Sequence, residues 1–173
     1  LYPTAEWSRL LKFASGSETG RKAISAFYRA RRIVALTNSK RRILGQILQD
    51  AKNRKVLVFT ADTYSAIKIS QQFLIPTIIA AIKRPERKRI LEDFATGSVG
   101  AIVACKVLDE GIDVPDAEVC VIVGGNANGR AHIQRIGRLL RPHPGKKALI
   151  FEIVTDGTHE VRHSKLRRKG ICN

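Results

Sequence analysis

The stretch Ala101-Ile102-Val103-Ala104-Cys105-Lys106-Val107-Leu108-Asp109-Glu110-Gly111-Ile112-Asp113-Val114-Pro115-Asp116-Ala117 decides the fold class. A short apolar run bounded by a turn signal reads as a strand buried on both faces, the kind that builds parallel sheets. An acid-glycine-acid turn follows it. In open α/β sheets ligands bind outside the carboxyl ends of the strands, where carboxylates accept hydrogen bonds from a ribose. Gly111 permits backbone conformations closed to other residues. Alone, Gly-Ile-Asp-Val-Pro also fits an ordinary strand-to-loop exit, so support has to come from elsewhere in the chain.

Working outward, further strand-like runs occur at Val56–Phe59, Thr77–Ala80, Val119–Val123 and Ala148–Val154, alternating with helical stretches. That alternation predicts an α/β domain, a parallel sheet flanked by helices. Asp62 or Thr63 caps a helix running to Phe73, Pro85 suits the first turn of the next, and Gly97 closes it. Before Lys55 the pattern is helical throughout. Trp7, Leu10, Leu11 and Phe13 cluster first, and Ser15-Gly16-Ser17-Glu18-Thr19-Gly20 is expected to break the chain. A helix carrying Ile24, Phe27, Tyr28 and Val34 follows, then one with Ile43, Leu44, Ile47 and Leu48 at amphipathic spacing. The expected organisation is a helical connector over 1–53, the α/β domain over 54–157 and a basic C-terminal tail over 158–173. The run Arg162-His163-Ser164-Lys165-Leu166-Arg167-Arg168-Lys169 reads as solvated and mobile, with DNA crossing or partner docking as alternatives.

A second chemical motif lies downstream in Gln134-Arg135-Ile136-Gly137-Arg138-Leu139-Leu140-Arg141-Pro142. Arg138 and Arg141, three apart on a predicted helix, share one face. Arginine stays charged and holds phosphate oxygens through a planar fork, so such a pair suits a triphosphate. A lone pair of this kind also fits a solvated basic face. No Gly-x-x-x-x-Gly-Lys-Ser/Thr loop occurs anywhere, and Gly124-Gly125-Asn126-Ala127-Asn128-Gly129 has neither the lysine nor the hydroxyl, so it reads as a turn.

At 173 residues, with 44% hydrophobic content, the chain can bury a core without staples. Thirty-one Lys and Arg against 15 Asp and Glu leave a net charge of +16, which attracts a polyanion. Only 6% of residues are aromatic, so phosphate tracking is favoured over base stacking. Cys105, Cys120 and Cys172 lack Cys-x-x-Cys spacing, which argues against a zinc site and a disulfide framework. They read as small buried hydrophobes. His132, His143, His159 and His163 show no metal-ligand pattern. Without a long apolar run or a signal peptide, an intracellular, cytoplasmic protein with no membrane partner is expected.

Together the two motifs resemble motifs V and VI of superfamily 2 helicases, in a version most similar to the archaeal XPB-type DNA repair helicases. Lys55-Val56-Leu57-Val58-Phe59-Thr60 resembles motif IV, and Arg84-Pro85-Glu86-Arg87-Lys88-Arg89-Ile90-Leu91-Glu92-Asp93-Phe94 resembles motif IVa. The resemblance implies a RecA-like second motor domain of an ATP-dependent DNA helicase. ATP and Mg2+ would be bound mainly by a first motor, and the chain alone would not hydrolyse ATP. It implies further that Arg141 acts as the arginine finger on the γ-phosphate, with Arg138 as the second phosphate-facing arginine. Gly111 and Asp113 would line the nucleotide cleft, Asp113 facing the ribose, Gln134 would fix the nucleotide or couple it to motif V, and Glu110 would orient a motif VI arginine. Thr60, Cys105 and Lys106 would meet the DNA strand, together with Arg84 and Arg87 on the motif IVa helix. The implied partners are DNA, the N-terminal helicase half and a nuclease. Two departures stand out: Ala104-Cys105-Lys106 replaces the usual Ser or Thr at the start of motif V, and Ala80-Ala81 replaces His-Gly. Alternatives are the second domain of an RNA helicase or duplex translocase, and a non-enzymatic basic DNA-binding module.

Overall fold

Residues 4–105, 117–124 and 148–168 are described by a computed structural model of the protein. Its elements are α1 (Thr4–Ser15), α2 (Glu18–Ala35), α3 (Asn38–Asp50), β1 (Val56–Thr60), α4 (Thr63–Phe73), β2 (Thr77–Ile78), α5 (Arg84–Thr96), β3 (Ala101–Cys105), β4 (Val119–Val123), β5 (Leu149–Ile153) and α6 (His159–Arg168). They fall into two units, Leu1–Val34 and Ala35–Asn173.

In the larger unit β1 and β4 are fully buried and apolar apart from Thr60, and β3 is buried from Ile102 onward. Neither periodicity nor charge gives these strands a solvent face, so they need cover on both sides. The described strands form one sheet in the order β2-β3-β1-β4-β5, every pairing parallel. Val58 lies opposite Val103 and Val121 in register. On one face Leu57, Phe59, Ile102, Cys120 and Ile122 pack with Phe94 of α5. On the other, Val56, Val58, Val103, Val119 and Val121 pack with Leu44 of α3 and with Ala66 and Ile69 of α4. Each such fully buried Val, Leu or Ile contributes about 2 kcal/mol.

Local chemistry sets the helix ends. Asp62 Oδ1 accepts from Ser65 N at 2.8 Å, capping α4. Pro85 lies in the first turn of α5, and Gly97 at φ 84° ends it. Strand β2 is shorter than the four-residue run predicted for it. It pairs only with β3, and a turn from Ile79 to Ile82 takes the chain away. The basic run after Thr158 is helical as far as Arg168. His163 and Ser164 are buried in it, and Ser164 Oγ donates to Glu152 Oε2 at 2.7 Å.

In the smaller unit Trp7 lies 5.1 Å from Phe27, centroid to centroid, and Arg31 lies over the Phe27 ring. Helix α2 starts at Glu18 instead of after Gly20, because Ser17 Oγ accepts from Gly20 N at 3.0 Å and caps it. A Cβ on Gly20 would sit 1.9 Å from the Ala14 carbonyl oxygen. The break expected between Ser15 and Gly20 falls at Gly16 and Ser17, and Gly20 itself lies inside α2, close to Ala14. No described helix is long and apolar enough to cross a membrane.

Candidate nucleotide and nucleic-acid site

Parallel pairing puts the carboxyl ends of all the described strands on one edge of the sheet. Thr60, the last residue of central β1, is in register with Cys105 on one side and Val123 on the other. The chain reaches β2 and β3 on one flank of β1, then crosses to β4 and β5 on the other. Such a reversal of strand order is where open α/β sheets leave a crevice for ligands. The segment carrying Glu110, Gly111 and Asp113 leaves this edge from Cys105. The segment carrying Gln134, Arg138 and Arg141 leaves it from Gly124. Cys105 and Gly124, at or just past the ends of β3 and β4, thus stand on either side of Thr60.

Of the candidate residues, the structure brings Thr60 and Cys105 together. Thr60 is buried, and its hydroxyl donates to the Asp62 carbonyl at 3.0 Å, with the Ala104 carbonyl at 3.5 Å. Cys105 is also buried, and its Sγ receives the Thr63 hydroxyl at 3.9 Å. Arg84 and Arg87 lie in the first turns of α5, away from the strand ends in sequence. Arg84 is exposed, while Arg87 is half-buried and donates from Nη2 to the Ile82 carbonyl at 3.4 Å. Lys106, Glu110, Gly111, Asp113, Gln134, Arg138 and Arg141 lie outside the described residues. Among the described residues no group of three His, Cys, Asp or Glu is placed to hold a metal ion. Cys120, in the middle of the sheet, has its thiol pushed up by burial and stays protonated.

Sequence reasoning missed one polar cluster at this edge. Lys40 Nζ of α3 and Glu160 Oε2 of α6 form an ion pair at 2.5 Å, their side chains only 2% and 3% exposed. Lys40 also donates to the Ala35 carbonyl at 3.4 Å, and Thr155 N donates to Glu160 Oε2 at 2.8 Å. Gly124 abuts the pair at φ 70°: a Cβ there would lie 3.0 Å from Glu160 Oε1 and 3.4 Å from the Ala35 oxygen. No local pattern could have found it. Lys40 precedes Arg41 and Arg42, and Glu160 sits in a basic run, so both look solvated in sequence.

With strand order and strand ends in place, the comparison with known proteins is direct. The family of the helicase conserved C-terminal domain matches residues 39–143, and the chain belongs to it. Within superfamily 2 it is XPB-like. It is 42% identical, over 95% of its length, to the DNA 3'-5' translocase XPB2 of Sulfurisphaera tokodaii, and 29% identical over 86% to a Rad25 helicase, itself named on a putative basis, of Halobacterium salinarum. It spans only 37% and 25% of those two proteins. Among solved structures, the C-terminal domain of the DEAD-box protein Dbp5 superposes with a TM-score of 0.65 at 20% identity, covering 77% of this chain and 78% of that one. The fold is therefore the RecA-like helicase C-terminal fold.

Proposed function

We propose that the chain is the second motor half of an ATP-driven, XPB-type DNA translocase acting in DNA repair. Its partners are DNA and a first motor in the same polypeptide, with a nuclease as a further partner. ATP and Mg2+ are held mainly by the first motor, so this half does not hydrolyse ATP alone. What supports the reading is one observation: β3 and β4, the strands that precede the acid-glycine-acid turn and the paired arginines in sequence, end at a single sheet edge on either side of Thr60.

In this reading Arg141 reaches the γ-phosphate of ATP on the other motor, and Arg138 assists it. Both offset the charge that builds on the transferring phosphoryl group, and fixed cations in a water-poor cleft do so without reorganisation cost. Asp113 accepts from the ribose, Gly111 lets the backbone approach, Gln134 fixes the nucleotide, and Glu110 orients an arginine. The DNA strand runs past Cys105, Lys106 and Thr60, with Arg84 and Arg87 as charge contacts. The Thr60 hydroxyl already donates to the Asp62 carbonyl. Its part in DNA contact is therefore to shape the turn, and the charge at the start of the motif falls to Lys106.

Arg141→Ala in the two-motor protein tests this. Turnover should fall by a factor on the order of a thousand with little change in ATP affinity, the usual worth of an arginine finger. Turnover within a few-fold of the parent would remove Arg141 from that role. DNA-stimulated rather than RNA-stimulated ATPase separates this reading from an RNA helicase, and an absence of ATPase under every condition favours a binding module.

A further inference from the structure

Helix α6 opens on His159-Glu160-Val161-Arg162-His163, two histidines four apart with an acid between them. Taken one at a time the histidines of the chain show no ligand pattern; as a pair on a helix these two do. Residues four apart stand one above the other on a helical face. H-E-x-x-H is also the spacing at which two imidazoles grip one zinc ion in metallohydrolases. The structure places the two rings 5.2 Å apart, centroid to centroid, at 73° to each other. Zinc binds imidazole nitrogen at about 2.0 to 2.1 Å, which puts a ring centroid about 3.2 Å from the ion, so two rings at a tetrahedral angle stand about 5.2 Å apart. His163 is 7% exposed, while His159 is exposed. One ligand is anchored in the fold, and the other leaves an ion between them open to solvent.

The acid of the motif decides which zinc chemistry is in reach. In a metallohydrolase it is the general base beside the metal-bound water. Here Glu160 Oε2 accepts from Lys40 Nζ and from Thr155 N, and the side chain is 3% exposed. That carboxylate is committed to the fold and is not placed to take a proton from water. Among the described residues no third His, Cys, Asp or Glu is grouped with the two histidines, so water fills the remaining positions. A two-ligand site of this kind suits a structural clip of modest affinity, and the positive end of the helix, where His159 lies, lowers that affinity further. Imidazole selects zinc, nickel or copper over magnesium and calcium, so the site differs in kind from one for the magnesium that accompanies ATP. We propose that His159 and His163 bind a divalent cation of the zinc class, and that the ion pins the first turn of α6, the turn that brings Glu160 to Lys40. An edge-to-face contact between two metal-free rings has a similar spacing, and experiment separates the two.

The test uses this chain without a histidine tag, stripped with EDTA and titrated with zinc chloride by calorimetry, with magnesium chloride as the control. One zinc per chain should bind, and magnesium at the same concentration should not displace it. With zinc about a hundredfold above Kd the melting temperature should rise by roughly 5 to 10 °C, because the ion binds the folded turn. His159→Ala and His163→Ala should each weaken binding at least about tenfold, the loss expected even for an outer-shell partner, and should remove the rise in melting temperature. His132→Ala and His143→Ala should leave both unchanged.

Zinc binding or stabilisation that survives His159→Ala would place the metal elsewhere, on a cysteine or another histidine, and would overturn the proposal. The absence of both heat of binding and stabilisation at about 1 mM zinc would overturn it too, leaving the rings a packing contact. If the His163 variant does not fold, His159→Ala, at an exposed position, decides alone by the same criteria.

Discussion

Lys40 and Glu160 show how one substitution can cost more than two. Lys40→Met leaves a carboxylate with 3% side-chain exposure and no cation, a loss of about 3 to 5 kcal/mol. Removing both charges should recover most of it. Urea unfolding of the two variants of this chain checks the order; equal destabilisation by single and double changes would mean that helix packing, not charge, is lost. Cys120 gives a pH signature. Its thiol is raised from an ordinary value near 9 by burial, so the folded state keeps a proton that the unfolded chain releases. Its contribution is complete below pH 9 and is lost as pH climbs above it. Cys120→Ala should therefore lose stability less steeply than the parent between pH 9 and 11, by up to about 1.4 kcal/mol per pH unit. Parallel slopes in the two proteins would show that the thiol ionises as readily in the folded chain.

At the scale of elements, the amphipathic spacing of α3 predicts a helix but not the surface it joins. In the structure Leu44 has no exposure and belongs to the core cluster that also holds the sheet residues Val56, Val58 and Val121. Leu44→Ala should cost about 2 to 5 kcal/mol by transfer and cavity terms together. A loss under 1 kcal/mol in chemical denaturation would show that α3 is a loosely attached connector. The strands were legible because doubly buried parallel strands are continuous apolar runs: β4 is found at Val119–Val123 as read, and β1 extends the reading by Thr60 alone. Strand order was not legible, since β1 pairs with residues some forty to sixty positions away and nothing local encodes that choice. The candidate site is read in the opposite way. Motif chemistry is local, so the arginines and the acid-glycine-acid turn stood out in sequence, while Lys40, Glu160 and Gly124 gain meaning only when three chain segments meet. The break between α1 and α2 falls in the stretch expected for it, but Gly20 belongs inside α2, for a related reason. A glycine needed for close approach to Ala14 looks, in sequence, like a helix breaker.

For the whole molecule, the charge balance and the proposed DNA track lead to one measurable quantity. A net charge of +16 attracts any polyanion, but only side chains that touch phosphates release counterions and set the salt dependence of binding. The charges on α5 differ in this respect. Lys88 and Arg89 form exposed ion pairs with Glu92 and Asp93 at 3.6 and 4.0 Å, Arg87 donates to the Ile82 carbonyl, and Arg84 is exposed in the first turn. Exposed pairs are weak and add little stability, yet their acids lower the local positive potential. This chain should bind DNA without ATP, weakly and with small sequence preference, its affinity falling steeply with salt at about −0.9 in the log–log slope per phosphate contacted on duplex. Arg84→Ala should reduce the magnitude of that slope by about one and weaken all sequences alike. Lys88→Ala should change it less. A slope unchanged by Arg84→Ala would take this residue off the track, and a flat salt response in the parent, or clear discrimination between duplexes of equal length, would replace phosphate tracking with base readout.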